Sequence, residues 1–309
     1  MEYIKQSMTF ELNGPTALSL GKFDGLHKGH GLLLEYMEAK KREHPGLKSV
    51  AFTFDVPPRE QMDGHPAQVL TTNPERARLL GQAGVDYLVE CPFTEEIRCM
   101  EPEAFIEAIV RNLHVAYLVV GADFRFGHNR RGDHKMLMRY ADKLGYQAKV
   151  VEKRKKDGRD ISSTYIREEI SGGNIELANE LLGYHYFVDG IVVSGRKMGK
   201  AVLGIPTINL LPPEEKLLPP FGVYVTETEC GGSRYPGITN VGRKPTIAGS
   251  LPVGVETHLF DVSKDMYGKE VRVSFLKRVR AERRFGSLEA LKAQMEQDIQ
   301  YGVRYFTQE

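Results

Sequence analysis

The spacing of apolar residues changes at Gly183, and that change limits the possible folds more than any other feature of the chain. Before it, apolar β-rich segments stand at TALSLG (16–21), LKSVAFTF (47–54), VDYLVE (85–90), AYLVVG (116–121) and QAKVVE (147–152), with helical patterns between them. Buried strands alternating with helices predict βαβ units, hence a parallel sheet covered on both faces. In NPERARLLGQAG, Asn73 is placed to cap a helix, Pro74 to open it and Gly84 to stop it. Pro102 opens the next helix, in EPEAFIEAIVRNL. A further helix is expected from Ser163 to Ile170, ending near Gly172–Gly173, and another from about Ile175 to Leu182.

After Gly183 the helical patterns stop. FVDGIVVSG, GVYVTETEC, SRYPGITNVG, VETHLFDV and KEVRVSFLKRVRAE follow, separated by turns such as ECGGS and MYGKE. Short strands between Gly- and Pro-rich turns predict a small antiparallel barrel or sandwich. Only SLEALKAQMEQDIQYGVRYF returns to a helical period, with Ser287 as cap and Leu288, Leu291, Met295 and Ile299 as its apolar stripe. The expected fold class is therefore α/β plus β, in two domains: residues 1–183, a parallel α/β domain, and 184–309, a small antiparallel β-barrel with a C-terminal helix. A chain of 309 residues is long enough for both.

The net charge of +1 gives no electrostatic case for nucleic acid or an anionic membrane. Cys91, Cys99 and Cys230 are too few and too scattered for a disulfide framework or a zinc knuckle. The stretch MEYIKQSMTFELNG has no basic-then-apolar leader pattern, and no apolar run is long enough to span a bilayer. A reducing cytoplasm is the expected compartment.

GKFDGLHKGH (21–30) follows the first long strand segment. In an open α/β sheet, ligands sit at the carboxyl ends of strands. Glycines let backbone N–H groups approach an anion, and the helix N-terminus that follows attracts negative charge. His27 and His30 lie one turn apart and can face one phosphate, donating hydrogen bonds as charge builds on it. Such a pair could also bind a metal, act as acid and base, or merely pack. The spacing is usable for zinc, but no third ligand is evident. No lysine is placed as in a Walker loop, so this is not a P-loop. The basic run KRKK (153–156) is either a solvated loop or an added attraction for phosphates.

A second constellation lies in GIPTINL (204–210). Thr207 and Asn209 alternate with Ile208, so in extended chain they project to one side. A hydroxyl and an amide oxygen are hard ligands suited to Mg²⁺ held together with nucleotide phosphates. Upstream is the glycine-rich, cationic GRKMGK, and downstream Glu256 offers a carboxylate on a strand. A positioned carboxylate can take the proton of a hydroxyl attacking the γ-phosphate of ATP.

GKFDGLHKGH resembles the GxFDGxHxGH signature of HxGH nucleotidyltransferases. ISSTYIR (161–167) resembles their partner motif, and GADFRFG (121–127) the GxDFxFG segment of one branch. Together, in order, they resemble the adenylyltransferase half of the bacterial bifunctional riboflavin kinase/FAD synthetase family, a Rossmann-like domain. The second half resembles the riboflavin kinase domain in GxPTxN, PPFGVY (219–224), YPGITNVGRKPT (235–246), VETHLFD (255–261), MYGKEVRVSF (266–275) and LKRVRAERRF (276–285).

The resemblance implies that Gly21, Phe23, Asp24, His27 and His30 bind the adenosine and phosphates of ATP. Ser162, Ser163, Thr164 and Arg167 would hold the phosphates from the other side, with Arg167 a fork for the leaving pyrophosphate. Asp123, Phe124 and Arg125 would position nucleotide or flavin. In the second half, Gly199 and Lys200 would contact nucleotide, Thr207 and Asn209 would bind Mg²⁺–ATP, Glu256 would be the base, and Arg280 would contact flavin. The implied reactions are phosphorylation of riboflavin to FMN, then adenylyl transfer from ATP to FMN giving FAD. The implied partners are small molecules alone: riboflavin, FMN and ATP.

Two departures from the family pattern stand out. In TFDVPPRE (53–60), Val56 and Pro57 occupy positions where Pro and His are usual. The flap reads GKAVLGIPT, with one extra residue between Gly199 and Pro206, and with Lys200 in place of an arginine's bidentate fork. Rival readings are a nucleotidyltransferase for another acceptor, a chain with one active half, and a non-catalytic flavin sensor. The kinase-like barrel counts against the first. Retention of His27, His30, Arg167, Thr207, Asn209 and Glu256 counts against the last.

Overall fold

The computed structural model describes residues 1–6, 8, 11–55, 68–193, 207–243, 253–262 and 264–308. Val56, Pro57, Gly199, Lys200 and Pro206 lie outside the described residues, and with them both departures from the family pattern. By packing, the chain divides into Met1–Ser163 and Thr164–Glu309.

In the first unit six strands form one parallel sheet: β1 (Glu2–Lys5), β2 (Thr16–Leu20), β3 (Lys48–Phe54), β4 (Tyr87–Cys91), β5 (Val115–Gly121) and β6 (Gln147–Val151), in the order β1-β4-β3-β2-β5-β6. Among the described residues, the longer helices between them are α1 (Lys28–Glu43), α2 (Asn73–Gln82), α3 (Pro102–Asn112) and α4 (His134–Leu144). Successive strand residues feed opposite faces. Ala17, Ala51, Leu88 and Val119 pack with Leu33 and Met37 of α1 and Leu80 of α2. Leu18, Leu20, Phe52, Val89 and Leu118 pack with Phe105 and Ile109 of α3 and Leu137 of α4. The five strands expected from the sequence are present; β2 to β5 are largely buried, and β6 is a half-exposed edge strand. Strand β1 was not foreseen, being a short edge strand, EYIK, with exposed ends.

One cap differs from expectation. The N-cap of α2 is Thr72, one residue before Asn73. Its hydroxyl accepts from Glu75 N at 3.4 Å while the Glu75 carboxylate accepts from Thr72 N at 2.8 Å, a reciprocal pair that satisfies two end donors. Gly84 follows the helix with φ +82°, as the stop requires.

The second unit begins with α5 (Ser163–Gly172, its first residue in the unit before) and α6 (Ile175–Leu182), where helices were expected. Six antiparallel strands follow: β7 (Phe187–Ile191), β8 (Ile208–Leu210), β9 (Gly222–Cys230), β10 (Ser233–Arg243), β11 (Val253–Leu259) and β12 (Glu270–Ala281), in the order β7-β12-β9-β10-β11-β8. Val193, beyond β7, bridges Asn209 of β8, its N–H donating to Asn209 O at 2.9 Å, so the sheet nearly closes on itself. Two register shifts between β9 and β12 supply the bending that closure demands. Inside, the Thr226, Thr239 and Thr257 hydroxyls form a fully buried chain with both links 2.7 Å. The barrel arm of the expected "barrel or sandwich" is the correct one.

Helix α7 (Leu288–Thr307) is capped by Ser287, whose hydroxyl accepts from Ala290 N at 3.1 Å. The expected stripe is only partly right. Leu288 is 54 % exposed, and the packing comes from Ile299, Tyr301, Tyr305 and Phe306 against Val223, Val225, Ile238 and Leu276.

Candidate active sites

The strand order of the first sheet reverses beside β2. From β2 the chain moves out through β3 and β4, then returns to β5 on the other side of β2. The crevice at the carboxyl ends of β2 and β5 is therefore the switch point at which such sheets bind ligands. GKFDGLHKGH leaves β2 there, and DFRF leaves β5 beside it. Two segments a hundred residues apart in sequence reach one end of the sheet by topology alone.

The loop after β2 is strained and buried. Phe23 and Leu26 have φ +50° and +33°, and Gly25 has φ +78°. Non-glycine residues hold such angles only when their surroundings impose them. Phe23 is wholly buried, 5.5 Å from the His30 ring, so its side chain props the loop from within the core. The Asp24 carboxylate accepts from Thr71 N at 2.9 Å and from the Thr71 hydroxyl at 3.3 Å. Ser163 Oγ donates to Asp24 O at 2.9 Å, tying the start of α5 to the same loop.

His27 is the N-cap of α1. Its Nδ1 accepts from Gly29 N at 3.1 Å. That bond puts the proton of the neutral ring on Nε2. Gly29 has no room for a side chain: a Cβ there would lie 2.9 Å from His27 Cε1 and 3.3 Å from Ile161 O. His30 stacks on His27 with centroids 3.9 Å apart, and its Nδ1 is buried with no hydrogen-bond partner among the described residues. Burial lowers the His27 pKa to about 4, and burial together with His27 holds His30 well below the usual range. Both rings are neutral at pH 7 and donate through single N–H groups. Among the described residues there is no group of three potential His, Cys, Asp or Glu ligands.

Asp123 pairs with Lys153 Nζ at 2.8 Å. Phe124 stacks on buried Phe126 at 5.7 Å, and Arg125 is exposed, bonded to Phe124 O at 3.1 Å. The KRKK run is part of a hairpin, Lys155–Lys156 pairing with Arg159–Asp160. Its first two cations are committed: Lys153 to Asp123, and Arg154 to Glu35 at 3.1 Å. Thr164 and Arg167 lie on α5, in the second unit.

In the barrel, Asn209 of β8 stands opposite Glu256 of β11, and Asn240 of β10 opposite Glu256 on its other side. Thr207 Oγ1 donates to Glu256 Oε1 at 2.7 Å. The structure thus joins Thr207, Asn209 and Glu256 in one row of oxygen donors across the seam strands. Arg280, expected at the flavin, pairs with Asp298 in this structure. Its Nε lies 3.0 Å from Asp298 Oδ1 and its Nη2 2.7 Å from Asp298 Oδ2, which clamps β12 to α7.

Three neighbours of these sites escaped the sequence reading: Thr71, Lys153 as an individual residue, and Asn240. Asn240 had a signal, since it lies in YPGITNVGRKPT. Thr71 and Lys153 had none beyond a capping context and a charge run.

Residues 9–165 match the family model described as FAD synthetase, and residues 182–306 the one described as riboflavin kinase. A Bacillus subtilis protein named bifunctional riboflavin kinase/FMN adenylyltransferase is 34% identical over 304 residues, covering 96% of this chain and 94% of that one. An Escherichia coli K12 protein of the same name is 36% identical over 285 residues, covering 91% and 90%. A solved Streptococcus pneumoniae structure, named as a macrolide-efflux protein, superposes with TM-score 0.84 at 29% identity, covering 96% of this chain and 97% of that one. Among the described residues of this chain, no helix is long and apolar enough to cross a membrane.

Proposed function

The chain belongs to the family of bifunctional riboflavin kinase/FMN adenylyltransferases, and from that premise we propose how its residues divide the work. It phosphorylates riboflavin to FMN with ATP and then transfers AMP from ATP to FMN, giving FAD and pyrophosphate. We assign the kinase to residues 184–309 and adenylyl transfer to residues 1–183. The observation that supports this most is the meeting of GKFDGLHKGH and DFRF at the switch point of the parallel sheet.

In adenylyl transfer, the FMN phosphate attacks the α-phosphorus of ATP and pyrophosphate leaves. Little covalent chemistry is left to the protein, so alignment and charge stabilisation carry the rate. His27 would donate from Nε2, and the α1 N-terminus would add its partial positive charge. Gly21, Phe23 and Asp24 shape the loop around the nucleotide. Ser162, Ser163, Thr164 and Arg167 would hold the phosphates, and Asp123, Phe124 and Arg125 would position nucleotide or flavin.

In the kinase half, Glu256 would accept the proton of the riboflavin hydroxyl as it attacks the γ-phosphate. The donors fit Mg²⁺: a hydroxyl and an amide oxygen next to one carboxylate suit an ion held mostly by ATP phosphates and water. Thr207 and Asn209 would hold it, and when bound it would neutralise charge on the transferring phosphoryl group. Arg280, oriented by Asp298 of α7, would contact the flavin. We place the enzyme in the cytoplasm, where its small-molecule substrates are made and used.

The test is to incubate the protein with riboflavin, ATP and Mg²⁺ and to resolve the flavins by chromatography. FMN followed by FAD is the expected result. FMN alone would remove the adenylyltransferase half of the reading. FAD formed only from added FMN would remove the kinase half.

A further inference from the structure

The loop that carries His27 is held in place from outside, and Thr71 is where that hold converges. The Thr71 hydroxyl accepts from Gly25 N at 3.0 Å and donates to Asp24 Oδ1 at 3.3 Å, while Thr71 N donates to the same Oδ1 at 2.9 Å. Thr71 and Asp24 are both buried. A second tie comes from α2: Arg76 Nη1 reaches Lys22 O at 3.4 Å, and Arg76 itself is fixed by buried Glu90 at 2.7 Å and by Asn73 Oδ1 at 3.1 Å. These contacts fall on residues 22–25, and strained Phe23 and Leu26 lie in or beside that stretch. Backbone at positive φ in non-glycine residues relaxes unless it is over-determined. The hydroxyl and amide of one threonine, 46 positions down the chain, supply the over-determination.

We propose that Thr71 is a positioning residue for adenylyl transfer. It touches neither nucleotide nor flavin. It fixes the Asp24–Gly25 turn, and through that turn the direction in which His27 Nε2–H and the first N–H groups of α1 point. The proposal rests on the reading of this loop as the adenylyl-transfer site. Its consequence falls mainly on the transition state, because a donor aimed slightly wrong still lets ATP bind but meets the developing charge poorly.

Thr71→Val keeps the shape and removes the hydroxyl, and Thr71→Ser keeps the hydroxyl and trims a methyl. The expected result for Thr71→Val is a fall in kcat for FMN-to-FAD conversion of about tenfold to a hundredfold. KM for ATP should stay within roughly threefold, the pattern of a lost transition-state contact. Thr71→Ser should recover most of the rate, and riboflavin-to-FMN conversion by the same molecules should not change. Unchanged FAD formation in Thr71→Val would overturn the proposal, and so would Thr71→Ser as impaired as Thr71→Val, since packing alone would then explain the site. If Thr71→Val does not fold, Thr71→Ala removes the same hydroxyl without steric load and is read against the same outcomes. Failure of the unaltered protein to convert FMN to FAD is a different result, and would sink the reading of the loop itself.

Discussion

His27 is held as a neutral ring at pH 7, and that has a measurable cost in acid. Burial lowers its pKa in the folded chain to about 4, against 6.5 for the exposed side chain. Between those values the unfolded chain binds a proton that the folded chain refuses. Stability therefore rises with pH across this window: the contribution is complete above 6.5 and is lost as pH falls toward 4. At pH 5 the loss from this residue is about 2 kcal/mol. His27→Asn removes the titration and keeps an N-cap able to accept from Gly29 N. Urea unfolding at pH 7 and pH 5 should show a smaller difference in the variant than in the parent, and an equal difference would refute the assignment. For activity, His27→Ala and His30→Ala should each lower FAD formation by about 10²–10³ and leave FMN formation alone. Unchanged FAD production in both would end the phosphate role given to them. The pair was legible in sequence because the motif is local. Thr71 was not, because its partners lie 46 and 47 positions away and only the fold brings them together.

At the level of elements, legibility followed burial. Strands β2 to β5 are largely buried on both faces and stand out in the sequence, β6 is a half-exposed edge strand, and the barrel strands are set off by their turns. Helix α7 shows where periodicity misleads. Its stripe rests on large apolar residues, yet Gly302, the smallest residue, also lies close against the barrel. A Cβ at Gly302 would lie 2.7 Å from Phe260 Cζ and 3.0 Å from Ile238 Cδ1. Hydrophobic spacing cannot register a residue whose use is to have no side chain. Gly302→Val should therefore push α7 off the barrel at a cost of about 1–3 kcal/mol. Leu288→Ala, in the same helix but exposed, should stay within about 0.5 kcal/mol. Thermal melts of the two variants decide between this packing and the stripe; a larger loss for Leu288→Ala would restore the stripe.

At the level of the whole molecule, the motif boundary and the packing boundary do not coincide. ISSTYIR runs from 161 to 167, and the division by packing falls inside it, between Ser163 and Thr164. Helix α6 belongs to the barrel: Asn179 Nδ2 donates to Phe275 O at 2.9 Å, and Tyr186 N donates to Asn179 Oδ1 at 2.7 Å. A fragment cut at Gly183 would keep α6 and strip away β12, exposing buried Ile175, Ala178, Leu181 and Leu182. A fragment cut at Ser163 would instead divide ISSTYIR. Truncation thus cannot separate the activities cleanly, but a substitution in the intact chain can. Glu256→Gln keeps the volume and an oxygen to accept from Thr207, and removes the group able to take up a proton. It should lower riboflavin-to-FMN conversion by about 10²–10⁴ and leave FMN-to-FAD conversion at the parent rate. Loss of both activities in a chain that still melts like the parent would mean that the halves do not work independently. Retention of both would remove Glu256 as the base.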